Sequence, residues 1–296
     1  MLIGLHDADR TAFPNYALMK LSAWHKARDD VVEWWNPMKD YDRVYSSKVF
    51  TYTPICEYLP ENTVKGGTGY GNYDELPAEI DACFPDYSIY PDVHYAIGFI
   101  TRGCVRHCPW CIVPRKEGNI HPYRTWREVK RPDSRDIILM DNNILACPHG
   151  VEQLQSMIGE DVRIDINQGL DARLITPEIA AILGRLKWIR FVRMSCDTED
   201  MLPVILEKAR LLNANGIKNW RLFIYVLVRD IPSAERRCLA LREAGMVPFA
   251  QPYRDFSGNA EPTDEQKAFA RWVNRKAIFK SVPRFSDYRK RLVVTH

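Results

Sequence analysis

The stretch Leu222-Phe223-Ile224-Tyr225-Val226-Leu227-Val228 holds seven apolar or aromatic residues without a break, and Arg229-Asp230-Ile231-Pro232-Ser233 follows it. A run of that length, rich in β-branched and aromatic side chains, reads as a strand. Without polar alternation it suits a parallel sheet covered on both faces. Outward from it, apolar runs of strand length fall at residues 95–100, 136–140, 163–166, 189–194, 220–228 and 246–250. Stretches with helical spacing separate them at 151–158, 177–186, 201–213 and 234–244. Thr176-Pro177-Glu178 is a helix start, with a hydroxyl cap, a proline in the first turn and an acid near the helix's positive end. Ser233, after Pro232, is expected to cap the next helix, and Gly216 and Gly245 to stop helices. The alternation predicts an α/β fold of six βα units. Right-handed crossovers would curl the parallel strands into an open partial barrel over residues 95–255. In parallel barrels the working groups gather at the carboxyl ends of the strands.

Residues 1–94 read as a separate small α/β domain with a linker. Residues 2–5 predict a short strand, 14–28 a helix spaced through Leu18, Leu21 and Trp24, and 42–50 another strand. Val64-Lys65-Gly66-Gly67-Thr68-Gly69-Tyr70-Gly71 reads as a flexible turn; it could cradle a phosphate, but it lacks the Lys-Ser/Thr ending of a P-loop. Residues 84–92, rich in proline and aspartate, read as linker. Residues 256–296 read as a basic helical extension outside the catalytic core. Helical spacing over 263–279 lets Phe269, Trp272 and Val273 dock while Arg271 and Arg275 face out.

With 296 residues, 46% hydrophobic and 27% charged, the chain has the size and polarity of a globular protein that folds without covalent staples. It has no run of about 18 apolar residues, so no membrane span is expected. The opening Met1-Leu2-Ile3-Gly4-Leu5-His6-Asp7 lacks the basic flank of a secretory signal, which makes a cytoplasmic location the expectation. The formal net charge of +3 is unevenly spread: residues 102–131 hold eight Lys or Arg against two acids, and residues 264–296 nine against three. Such clusters suit an anionic partner (a nucleotide, a nucleic acid or a small anionic metabolite), or they are simply solvated helix faces.

Five of the eight cysteines, Cys56, Cys83, Cys147, Cys196 and Cys238, are scattered and expected to be small core hydrophobes. The other three crowd into Gly103-Cys104-Val105-Arg106-His107-Cys108-Pro109-Trp110-Cys111, directly after the run at 95–100. This Cys-x3-Cys-x2-Cys spacing puts three thiolates on one tight loop, with no fourth cysteine nearby. A closed structural cluster would use four; three leave one iron of a 4Fe–4S cubane open to a ligand. The competing reading is zinc, with His107 or His121 as fourth ligand, although zinc ligands usually come as two separated pairs. In that reading the chain is a non-catalytic nucleic-acid-binding module whose basic tail grips phosphate.

With Trp110 as the aromatic residue before the last cysteine, the loop resembles the signature of the radical S-adenosylmethionine superfamily, and the resemblance covers roughly residues 95–255. It implies that Cys104, Cys108 and Cys111 hold a 4Fe–4S cluster and that S-adenosylmethionine chelates the open iron. An electron from a flavodoxin- or ferredoxin-type donor would then cleave it to a 5′-deoxyadenosyl radical that takes hydrogen from a substrate. The resemblance also implies a set of cofactor-binding residues: Trp110, then Asp141, Asn142 and Asn143 after the second strand, Asn167 and Gln168 after the third, and Arg193 and Ser195 on the fourth. Asp171, Arg173 and Asp197 are further candidates, and Gln251, Tyr253 and Arg254 could face the substrate. Arg193 and Ser195 share a strand face, which favours Arg193 over Arg173 for gripping a carboxylate in two places.

The first domain loosely resembles the Rossmann-like domain of cobalamin-dependent members and methylthiotransferases. Methylthiotransferases need three cysteines there, and only Cys56 and Cys83 are present. The nearest cobalamin motif, Asp92-Val93-His94-Tyr95-Ala96-Ile97, ends wrongly, so His94 reads as a linker residue. Cobalamin is therefore not expected, unless bound without a histidine ligand.

Overall fold

The computed structural model describes residues 1–256 and 261–294, with the side chains of 290–294 left out of the description. The protein is mixed α/β with parallel sheets. It divides into two compact units: Met1–Ile97 with Arg115–Glu117, and Gly98–Pro114 with the chain from Gly118 onward.

The first unit contains β1 (Leu2–Asp7), α1 (Tyr16–Lys26), β2 (Val31–Trp34), β3 (Arg43–Ser47), β4 (Val64–Gly66) and α2 (Ala78–Asp81). Its four strands are parallel in the order β2-β1-β3-β4. Ile3, Leu5, Leu18, Leu21, Tyr45 and Ile80 form its core. Asn15 caps α1 by accepting from the Leu18 N–H, and its amide donates to Ser47 Oγ at 2.8 Å, which ties the start of α1 to the end of β3. Strand β2 was not expected from the sequence, because its four residues are half-buried or exposed and show no alternation. The segment expected to be a linker is anchored. Asp86 accepts from Ser22 Oγ (2.6 Å) and Lys26 Nζ (2.7 Å), and Tyr90 donates to Asp7 (2.8 Å).

Strand β5 (Ala96–Gly98) leads into the second unit. There follow β6 (Thr101–Arg102), α3 (Val113–Lys116), β7 (His121–Pro122), α4 (Trp126–Val129), β8 (Asp136–Leu139), α5 (Pro148–Ser156), β9 (Arg163–Ile166) and α6 (Pro177–Arg185). Next come β10 (Val192–Ser195), α7 (Met201–Ala214), β11 (Leu222–Val228), α8 (Ile231–Glu243), β12 (Val247–Pro252), α9 (Asp264–Asn274), α10 (Lys276–Ser281) and α11 (Phe285–Val294). The longer strands make two three-stranded sheets, β5-β8-β9 and β10-β11-β12. Pairing is parallel between β8 and β9 and throughout β10-β11-β12. Two single parallel bridges, Ile164 to Trp188 and Leu170 to Met194, join the sheets.

Strand β11 departs from its expected two-sided cover. Leu222, Ile224, Val226 and Val228 are 0% exposed, while Phe223, Tyr225 and Leu227 are only half-buried. The less buried face carries the rings of Phe223, Tyr225 and Phe249, packed 5.3–6.1 Å apart, beside the Arg193–Asp165 ion pair. Thr176 caps α6 as expected, accepting from the Ile179 N–H. The cap of α8 is Asp230 rather than Ser233: Pro232 lies in the first turn, so the cap must precede it, and Asp230 accepts from the Ser233 N–H at 2.7 Å. The helix expected over 263–279 breaks at Arg275 into α9 and α10.

The carboxyl-terminal helices are bound into the unit rather than appended to it. Asn274 bonds the Ala250 backbone of β12 in both directions (2.8 and 2.9 Å), and Trp272, 0% exposed, packs against Phe269, Phe279 and Phe285. The basic side chains beyond Arg289 lie outside the described residues. Cys147, Cys196 and Cys238 are buried, and Cys56 and Cys83 half-buried. Among the described residues no helix is long and apolar enough to cross a membrane.

Candidate functional site

The cysteine loop begins at a buried carboxylate. Asp141, just past the end of β8 and 0% exposed, accepts from the N–H groups of Ile100 (3.1 Å) and Thr101 (2.5 Å) and from Thr101 Oγ1 (2.7 Å). Burial pushes its pKa up to about 6 against the pull of these donors. Asp141 therefore ties together the backbone and the Thr101 hydroxyl at the root of the loop. Strands β6 and β7 then pair antiparallel, and the Cys104 N–H donates to the Gly118 carbonyl at 3.2 Å, which closes the loop. Gly103 has φ of +80°, and a Cβ there would run into the Asn119 carbonyl.

Within the loop Cys104 is buried, Cys108 half-buried and Cys111 exposed as a residue. Cys104 Sγ accepts from the Arg106 N–H (3.3 Å) and Asn143 Nδ2 (3.4 Å), and Cys111 Sγ from the Val113 N–H (3.5 Å). Burial of the sulfurs raises the thiol pKa of both Cys108 and Cys111. Arg173 pulls Cys108 down and the Val113 N–H pulls Cys111 down, while the neighbouring thiols push each further up. These mutual effects put the three sulfurs within electrostatic reach of one another. Among the described residues, no three His, Cys, Asp or Glu side chains form a group that could hold a metal ion. A cubane makes a different demand, since each cysteine binds its own iron.

Asn143, 2% exposed, is the other unusual group. Its Nδ2 faces Cys104, and its Oδ1 is buried with no hydrogen-bond partner among the described residues. Buried acceptors are nearly always paired, so an orphan carbonyl oxygen beside a ligand-type thiol marks a place where a donor is wanted.

The loop's other side is clipped to the end of β9. Arg106 Nε donates to Asp171 at 2.9 Å, and Arg173 grips the same carboxylate through two nitrogens at 2.7 and 3.0 Å. Burial alone would raise the Asp171 pKa, but the two guanidiniums outweigh it and lower it. Arg193 is likewise engaged: Nε and Nη2 reach Asp165 at 2.7 Å each, and Nη1 donates to the Tyr225 hydroxyl at 3.2 Å. Tyr225 in turn donates to the Asn167 carbonyl at 2.7 Å. The fork expected to grip a cofactor carboxylate is thus already filled, in Arg193 and Arg173 alike. The preference between them came from strand alternation, which says nothing of Asp165 on the next strand.

The remaining expected residues sit at the same carboxyl ends. Asn142 and Asn167 are half-buried, and Gln168 is exposed. Ser195, half-buried, bonds Asp197, whose carboxyl pKa burial raises while the Leu227 N–H, Arg237 and Ser195 hold it back. Asp197 acts electrostatically on both Cys108 and Cys111. The Trp110 ring lies under the guanidinium of Arg229 at 5.4 Å, which also covers Tyr253 at 5.6 Å. Arg229 was missed in the sequence, and its only signal there is its place directly after the longest strand. His121 donates to, or is held by, the Asn119 carbonyl through Nδ1 at 2.9 Å. The structure thus sets Asn143 at Cys104, Arg173 within reach of Cys108, and Asp197 within reach of Cys108 and Cys111, while Asp141 and Arg193 bond internal partners. No known protein-family model matches this chain, and no curated protein does.

Proposed function

We propose that this chain is a radical S-adenosylmethionine enzyme whose two bridged sheets belong to one six-stranded partial barrel. The observation that carries the reading is the buried Asn143 Oδ1, without a partner among the described residues, at the amide that bonds Cys104. The cofactor's amino group is a donor of the kind that oxygen lacks.

In this reading Cys104, Cys108 and Cys111 hold three irons, and the N–H donors of Arg106 and Val113 stabilise the thiolates. Burial favours the protonated thiols of Cys108 and Cys111, which would give up those protons to hold iron. Asn143 Oδ1 takes the amino group, and Asp197, set by Ser195, offers an acceptor for ribose hydroxyls. Trp110, held by Arg229, shields the loop from water. When bound, the cluster and S-adenosylmethionine would supply one-electron radical chemistry at this loop. The substrate is an anion in this reading, because the basic surfaces suit a nucleotide or nucleic acid. Anaerobic reconstitution tests the cluster: about four irons per chain are expected, with loss in each of Cys104→Ala, Cys108→Ala and Cys111→Ala. Full iron in all three variants would sink the proposal, while Cys56→Ala and Cys238→Ala should leave the iron in place.

A further inference from the structure

The first unit gathers two lysine ammoniums on one tyrosine ring. Lys48 follows β3 directly and is 3% exposed, yet its ammonium has no hydrogen-bond or ion-pair partner among the described residues. The centroid of the Tyr70 ring lies 5.6 Å from its Nζ. A second ammonium, that of Lys65, lies 6.0 Å from the same centroid and forms no ion pair among the described residues. The ring is fixed by a buried relay, since the Tyr70 hydroxyl bonds Ser46 Oγ at 2.7 Å and Ser46 Oγ bonds His6 Nδ1 at 2.8 Å. Asp9 bonds the chain just beyond Lys48. Its oxygens are taken up by the N–H groups of Val49 and Phe50 and by the Thr53 hydroxyl, not by Lys48.

Two like charges gathered on one ring repel, and cation–π contacts offset only part of that. Such an arrangement is stable when an anion joins it. The surroundings suit one. The glycine-rich segment at 66–71 folds over Lys48: the Lys48 N–H donates to the Gly66 carbonyl (3.0 Å), and its carbonyl accepts from Gly69 (2.8 Å). At Gly67, with φ of +100°, and at Gly69 a side chain would collide with Lys48 itself. Bare backbone and two cations thus meet at the carboxyl edge of a parallel sheet whose order, β2-β1-β3-β4, reverses between β1 and β3. Ligands of open parallel sheets bind at that kind of edge.

We propose that Lys48, Lys65 and Tyr70, under the glycine-rich segment, bind a phosphate group of a small anionic ligand. Two ammoniums match the double charge of a phosphate ester, and the absence of glycine side chains admits close approach. The site stands in the first unit and does not depend on the cysteine loop.

Calorimetric titration of the full chain with inorganic pyrophosphate tests it, with orthophosphate and adenosine 5′-diphosphate as separate arms. Pyrophosphate is expected to bind, and Lys48→Met, shown folded by its melting curve, to weaken it roughly tenfold or more. Lys65→Met, at an exposed position, should weaken it several-fold without threatening the fold. Tighter binding of the diphosphate nucleotide identifies a nucleotide site, and equal binding identifies a free-phosphate site. If none of the three binds the wild-type chain, or if both lysine variants bind pyrophosphate as the wild type does, Lys48 is a solvated cation and the site does not exist.

Discussion

Gly103 shows how one residue sets the cysteine loop. Its φ of +80° and the Asn119 carbonyl leave no room for a side chain. Gly103→Ala should cost about 1–3 kcal/mol in local strain and lower iron uptake on reconstitution; iron content beside the wild type checks this. Asn143→Ala should keep the cluster but weaken S-adenosylmethionine binding by about tenfold, the value of one hydrogen bond to a charged donor. Asp141 gives a pH signature. Its folded pKa, about 6, lies above the ordinary 3.8, so between about pH 4 and 6 the folded state holds more protons than the unfolded one. Stability from this group therefore falls as pH rises through that window, by roughly 3 kcal/mol in all. Urea midpoints across the window should show that slope in the wild type and lose it in Asp141→Asn; an unchanged slope would contradict the assignment. The thiols were legible in the sequence because their spacing is local. The roles of Asp141 and Arg193 were not, because Thr101 and Asp165 lie 40 and 28 residues away and only the fold brings them near.

Elements were legible where they are long and locally signalled. The hydroxyl and proline at Thr176-Pro177 mark α6, and Gly216 and Gly245, with φ of +91° and +75°, end α7 and α8. Strand β2 was hidden by its shortness, and the break at Arg275 by an apolar spacing that continues through it. The carboxyl-terminal helices differ most in consequence. The sequence suggested an extension that could be removed without harm to the core. With Asn274 paired to β12 and Trp272 enclosed by Phe269, Phe279 and Phe285, removal would strip one side of the second unit. Trp272→Ala should destabilise the protein by about 3–5 kcal/mol, readable as a fall in urea midpoint. A loss under 1 kcal/mol would show the helices to be a loose appendage after all.

At the scale of the whole molecule, the sequence conveyed an α/β chain with parallel strands and a cysteine-rich loop after the first strand of the second unit. How two sheets are bridged at Ile164 and Leu170, and which face of β11 stays open, follow from packing that no local pattern states. The central claim is that the loop's three cysteines and Asn143 serve one-electron cleavage of S-adenosylmethionine. The most direct measurement is quantification of the products after the anaerobically reconstituted, reduced chain is incubated with S-adenosylmethionine. The account predicts 5′-deoxyadenosine and methionine in equal amounts, slowly formed without a second substrate and absent in Cys104→Ala. A fully loaded, reduced chain that yields only S-adenosylhomocysteine, or no product, would contradict it.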